Sequence, residues 1–136
     1  MEQNELIEHI TWHDQHIATI IRRDYQPRQT TFISPPSYYQ QAGFVIYPKD
    51  GTVARHMHLP LQRHLIGTPE TLIVRRGRAE VELYALEKTY LGTWTLEQDD
   101  IILLVAGGHC LKCLDDTIFF EIKQGPYTGL LEKESF

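Results

Sequence analysis

Cysteine is scarce. The 136 residues hold two, Cys110 and Cys113. Three positions apart on a strand, they face opposite sides, which suits no disulfide between them. A single C-x-x-C cannot fill a structural zinc site, and no thioredoxin-like strand–helix context follows it. Two reduced thiols are therefore expected, with Cys113 on the same strand parity as His109. Long apolar runs are lacking as well. None approaches the ~18 residues of a membrane span. The opening Met-Glu-Gln-Asn-Glu is acidic and has no basic region before an apolar stretch. That argues against a secretory signal and for a cytoplasmic protein. Positive charge is short too, with 13 Lys and Arg against 18 Asp and Glu and a net charge of -5. Nucleic acid is thus not expected as a partner, because phosphate contacts need a basic face. No DNA-binding helix, basic arm, internal repeat or low-complexity tract is visible.

What is present reads as one globular domain. The chain is 42% hydrophobic, and a length of this order buries about two thirds of the unfolded chain's surface. Residues 4–24 fit an amphipathic helix, with Leu6, Ile10, His13, Ile17 and Ile20 on one stripe and Ile7 and Ile21 beside it. His9 and His13 have a chelating helical spacing, but the apolar stripe explains His13 as well. Pro27 ends the element. Residues 28–40 suggest a short strand at Thr30–Ile33, then a stiff connector through Pro35-Pro36 to Tyr38-Tyr39.

From residue 43 onward short strands alternate with turn signals. The expected strands are 43–47, 52–59, 70–76, 79–86, 89–96, 100–105, 109–114 and 117–123. They are rich in Val, Ile, Leu, Thr, Tyr and Phe, and the breaks fall at Gly, Pro, Asp and Lys. This is an all-β pattern, a sandwich or barrel. A double-sheet jelly roll with an N-terminal helix outside it is the architecture expected. The helical segment would be 1–28 and the β-barrel 29–136.

Four residues carry the chemistry. His56 and His58 are two apart, so on a strand they share a face. Glu70 opens a strand on the parity of Leu72 and Val74, where a carboxylate among apolar residues needs a partner or a metal. His109 follows Ala106-Gly107-Gly108, whose glycines allow a tight turn and close backbone approach. Three nitrogens and one oxygen on one inner surface suit Fe, Mn, Ni, Co or Zn, with open positions for water or substrate. His64, in the 59–69 connection, is a rival to Glu70 as ligand and a candidate for substrate contact or acid–base work. Arg76, Tyr84, Lys112 and Glu121 are further polar candidates for an interior. Arg75, Arg76 and Arg78 surround Gly77, where they form either an anion contact or a solvated turn.

Gly51, His56, His58, Glu70 and Gly77 resemble the first motif of the cupin superfamily, including the Glu-to-Gly spacing. Asp100, Val105, Gly107 and His109 resemble its second motif, with Val105 where a proline is usual. Gly51 sits one residue closer to His56 than is common, and the interval from His58 to Glu70 is longer. The resemblance covers about residues 43–123. The close, Phe120 to Tyr127, is similar to that of the small cupin metalloproteins found with surface-polysaccharide (O-antigen) biosynthesis genes.

The resemblance implies a divalent transition metal (Fe, Mn, Ni or Zn) held by His56, His58, Glu70 and His109. It implies a small polar ligand, a sugar or sugar nucleotide, handled by an isomerase or epimerase, with His64 as a catalytic candidate. An Fe(II) dioxygenase and a non-catalytic metal- or ligand-binding module are the alternatives. A homodimer is expected, since jelly-roll edges and faces need covering.

Overall fold

A computed structural model describes residues 3–136. The expected N-terminal helix is not formed. Ile7–Trp12 (β1) and Gln15–Ile21 (β2) instead make an antiparallel hairpin. Seven of these positions are Ile or Thr, at 7, 10, 11, 17, 19, 20 and 21, whose branched Cβ favours a pleated surface over a helix. His13 and Asp14 take φ of 45° and 64°, the left-handed pair that a two-residue hairpin turn demands. The helical stripe misled for two reasons. A register shift lies between Ile10 and Thr11, and β2 is buried continuously from Ile17 to Ile21. A strand buried on both faces shows no alternation by which to recognise it.

The remaining strands are Thr31–Phe32 (β3), Gly43–Phe44 (β4), Glu70–Arg76 (β5), Ala79–Tyr84 (β6), Tyr90–Leu96 (β7), Ile101–Leu104 (β8), Gly108–Cys113 (β9) and Ile118–Lys123 (β10). Those from β5 onward fall within two residues of the expected segments. Short 3-10 turns occupy Gln3–Leu6 and Gly129–Glu132. The chain divides into two compact units, one running up to Gln26 and resuming at Thr68–Phe136, the other Pro27–Gly67.

The larger unit has a five-stranded sheet, in the order β1-β2-β8-β5-β10, and a three-stranded sheet, β7-β6-β9. Every pairing is antiparallel. One core draws on both sheets: Ile10, Ala18, Ile20, Leu72, Val74, Ile102 and Leu104 from the first, Val81, Leu83 and Leu96 from the second. On β6 the alternation is complete, with Ala79, Val81 and Leu83 buried between half-buried Glu80, Glu82 and Tyr84. The expected barrel is not closed, because no strand ladder joins the two sheets. Side chains link them instead. The Trp94 indole N–H donates to Glu8 Oε1 at 3.0 Å on one flank, and Glu70 meets His109 on the other.

At one end of the sandwich Asp100 is 2% exposed and fully satisfied. Its carboxylate accepts from Arg22 Nη1 at 3.0 Å, from the Arg23 amide at 2.8 Å and from the Glu97 amide at 2.8 Å. At that end too Gly77 turns β5 into β6 with φ 90°, where a Cβ would lie 2.3 Å from the Asp116 carbonyl oxygen.

In the smaller unit β3 pairs with β4 around a loop organised by Ser34. The Ala42 amide donates to Ser34 Oγ at 2.8 Å, and the Gln41 amide group donates to the carbonyls of Pro35 and Tyr38. Residues 52–59 form no strand. Alternation marks a strand only where a neighbouring strand supplies a ladder, and none does so among the described residues.

Candidate acid–base site

Glu70 begins β5 with Leu104 of β8 on one side and Lys123 of β10 on the other. Cross-strand partners share a face, so Glu70 lies on the inner surface that continues through buried Leu72 and Val74. Glu121, paired with Leu72, projects to the same surface. On the other sheet His109 pairs with Leu83 and shares its inward face. Its placement depends on Gly107, which turns the chain at φ 76°, with the Tyr84 carbonyl oxygen 2.1 Å from where a Cβ would stand. No side chain other than hydrogen fits there.

The two sheets thus bring Glu70 and His109 together, His109 Nε2 standing 3.5 Å from Glu70 Oε2. Glu70 is 12% exposed and His109 35%. Burial pushes the Glu70 carboxyl up to about 7, helped by a hydrogen bond to Glu121 and by that residue's charge, while Lys123 and Lys133 pull it back. Burial also lowers His109, against the opposing charge of Glu121 and with the help of Lys133. An ion pair would move both groups the other way. Near neutrality the contact is therefore between a protonated or proton-sharing carboxyl and a neutral imidazole. Such a pair can hold one group as a proton donor and the other as an acceptor at the same pH.

The other expected site residues are placed differently. His56 and His58 lie in the smaller unit, exposed and without a strand to align them. Their rings meet edge to face with centroids 5.2 Å apart, and His56 Nδ1 bonds the Ala54 carbonyl oxygen at 2.8 Å. His64 is exposed in the same unit. The four expected metal ligands are thus divided between the two units. Among the described residues no group of three or more His, Cys, Asp or Glu side chains is arranged to hold a metal. Arg76 is exposed at the end of β5, Lys112 pairs with Glu80 away from the core, and Tyr84 donates to Glu82 at 2.7 Å. Cys110 and Cys113 are free and exposed.

Lys123 and Lys133 escaped the sequence reading. Lys123 was legible in principle, since it continues the two-residue period of Phe119 and Glu121 on the inward face. Lys133 follows the last strand and has no periodic signal.

No protein-family model, no curated protein and no solved structure matches the chain.

Proposed function

We propose that the chain is a small cupin-like jelly-roll protein that moves a proton on a small polar substrate, a sugar or sugar nucleotide, in an isomerase or epimerase reaction. The observation that carries this reading is the meeting of Glu70 and His109 from the inner faces of two sheets. Isomerisation beside a carbonyl needs a base for the C–H proton and an acid for the developing oxyanion. His109, held neutral by burial, is the base and takes the carbon-bound proton. Glu70, its carboxyl raised to about 7 and so still partly protonated near neutral pH, is the acid and gives its proton to the carbonyl oxygen, leaving an enediol. His109 then gives the proton to the former carbonyl carbon while Glu70 takes the proton of the neighbouring enediol hydroxyl, so the carbonyl has moved by one carbon and both side chains regain their starting state. A cytoplasmic homodimer is the form proposed.

The larger unit gathers the carboxyls of Glu70 and Glu121 and the imidazole of His109, and among the described residues no three such groups are arranged to hold a metal; the proton transfers proposed use these side chains alone.

The test is wash-in of solvent deuterium. Keto-sugar nucleotides are incubated with the protein in D2O and the sugar carbon is followed by NMR. Deuterium should enter with wild-type protein and fall by about 100-fold or more with Glu70→Gln and His109→Asn, the usual scale of a lost acid or base. Wild-type rates retained in both variants would refute the assignment. Metal analysis on untagged protein is the companion measurement. Stoichiometric metal lost in both His58→Ala and His109→Ala would replace the metal-free reading with a metal-centred one.

A further inference from the structure

After β10 the chain does not leave the sandwich. Lys123, the cross-strand partner of Glu70, reaches Glu132 at 3.8 Å, and Thr128 Oγ1 donates to the same carboxylate at 2.6 Å. Two residues on, Glu134 accepts from Lys88 Nζ at 3.1 Å, in the connection between β6 and β7. Phe136 then sets its ring edge to face on Tyr84, centroids 5.1 Å apart, with Lys88 Nζ 5.7 Å from its centre. The ring also lies against Gly108, where a Cβ would fall 2.7 Å from Phe136 Cζ. Gly108 is the residue before His109. One end of this segment is therefore moored beside Glu70 on the five-stranded sheet. The other is moored beside His109 on the three-stranded sheet.

We propose that residues 125–136 are a strap laid across the open end of the sandwich, latched by Phe136, which narrows the way to Glu70 and His109 and is displaced when a ligand seats between them. The proposal rests on the reading of that pair as the site. The moorings suit a device that opens. Phe136 is 63% exposed, and the Lys88 and Glu134 side chains are 49% and 76% exposed. Exposed ion pairs and single aromatic contacts are individually weak, so the closed state holds without being locked. The strap also brings Lys133 close enough to act on both Glu70 and His109. Lifting it takes that positive charge away from the site, so the opening that admits ligand also changes the electrostatics around the acid and base.

The experiment is timed acylation of the intact protein with diethyl pyrocarbonate, read histidine by histidine by peptide mass spectrometry. Exposed His64 is the internal reference. Phe136→Ala should raise the His109 rate by up to about threefold, because the His109 side chain is already 35% exposed with the strap in place and one aromatic pair is a weak latch, and leave His64 unchanged. Glu134→Lys should act in the same direction. The swap Lys88→Glu with Glu134→Lys, which restores an ion pair with its sign reversed, should bring the His109 rate back towards wild type. It also separates a lost mooring from a damaged fold. An unchanged His109 rate in both Phe136→Ala and Glu134→Lys overturns the strap. So does a Glu134→Lys rate that the swap fails to lower. Strap and chemistry fail separately. Faster His109 labelling in Phe136→Ala, together with deuterium wash-in that survives Glu70→Gln, would keep the strap and remove the acid–base role.

Discussion

Replacing Glu70 by Gln should stabilise the protein at alkaline pH and do little at acid pH. The carboxyl is raised from an ordinary value of 4.5 to about 7. Between those values the folded state binds more protons than the unfolded one, so stability falls as pH rises through the interval. Below pH 4.5 both states carry the proton and the term vanishes. Above pH 7 both have lost it and the folded state bears the full cost of the charge. At roughly 1.4 kcal/mol per pH unit the gap corresponds to about 3 kcal/mol. Proton sharing with Glu121 and access of water reduce this to roughly 1.5–2.5 kcal/mol. Glutamine has the shape of the protonated acid, and its amide can still donate to Glu121. Urea unfolding of wild type and Glu70→Gln at pH 4.5 and pH 8.5 is the assay. The difference between the proteins should be near zero at the lower pH and reach that magnitude, in favour of the variant, at the higher. His109 has a lowered value, so its protonation costs stability below pH 6.5, an opposite slope that largely cancels in the comparison. A difference that does not change with pH, or one favouring wild type at pH 8.5, would refute the burial argument for Glu70.

Other perturbations follow from the same geometry. Asp100→Ala strands two backbone amides and the Arg22 guanidinium and should cost about 3–5 kcal/mol in chemical denaturation; a loss under 1 kcal/mol would mean the clasp is unimportant. Gly107→Ala meets both a left-handed φ and the Tyr84 carbonyl, so it should lose more than about 2 kcal/mol, with the His109 imidazole resonances shifting in the NMR spectrum. The pair His13→Asn and Asp14→Gly relieves two left-handed residues and should stabilise by about 1 kcal/mol; destabilisation would argue against the β1–β2 hairpin.

The sequence disclosed strands best where one face is buried. On β6, polar and apolar residues alternate without exception, and β5 to β10 were all recoverable from such periods and from their turns. The inward face of Glu70 was legible for the same reason, as the first of the series Glu70, Leu72, Val74. The glycines before His109 likewise marked a place where only glycine fits. The hairpin at the start was hidden because β2 is apolar on both sides and its turn, His13-Asp14, contains no glycine or asparagine. His56 and His58 exposed the limit of parity. The rule gives a direction only once a strand exists, and residues 52–59 have no ladder to make one. Contacts made after the last strand, such as Phe136 on Tyr84, depend on tertiary placement alone and leave no mark in local pattern.

The Asp100 clasp also has a consequence for time. It joins Arg22 and Arg23 to a residue 78 and 77 positions later in the chain. Closing so long a loop early would be slow. The hairpins β1–β2 and β6–β7, with short connections, can form first, and the clasp can close only after β2 has paired with β8 within the five-stranded sheet. An interaction made after the rate-limiting step leaves the folding rate nearly unchanged and appears almost wholly in the unfolding rate. Asp100 thus acts as a brake on unfolding. Its carboxylate sets how long a folded molecule stays folded far more than how quickly a new one gets there.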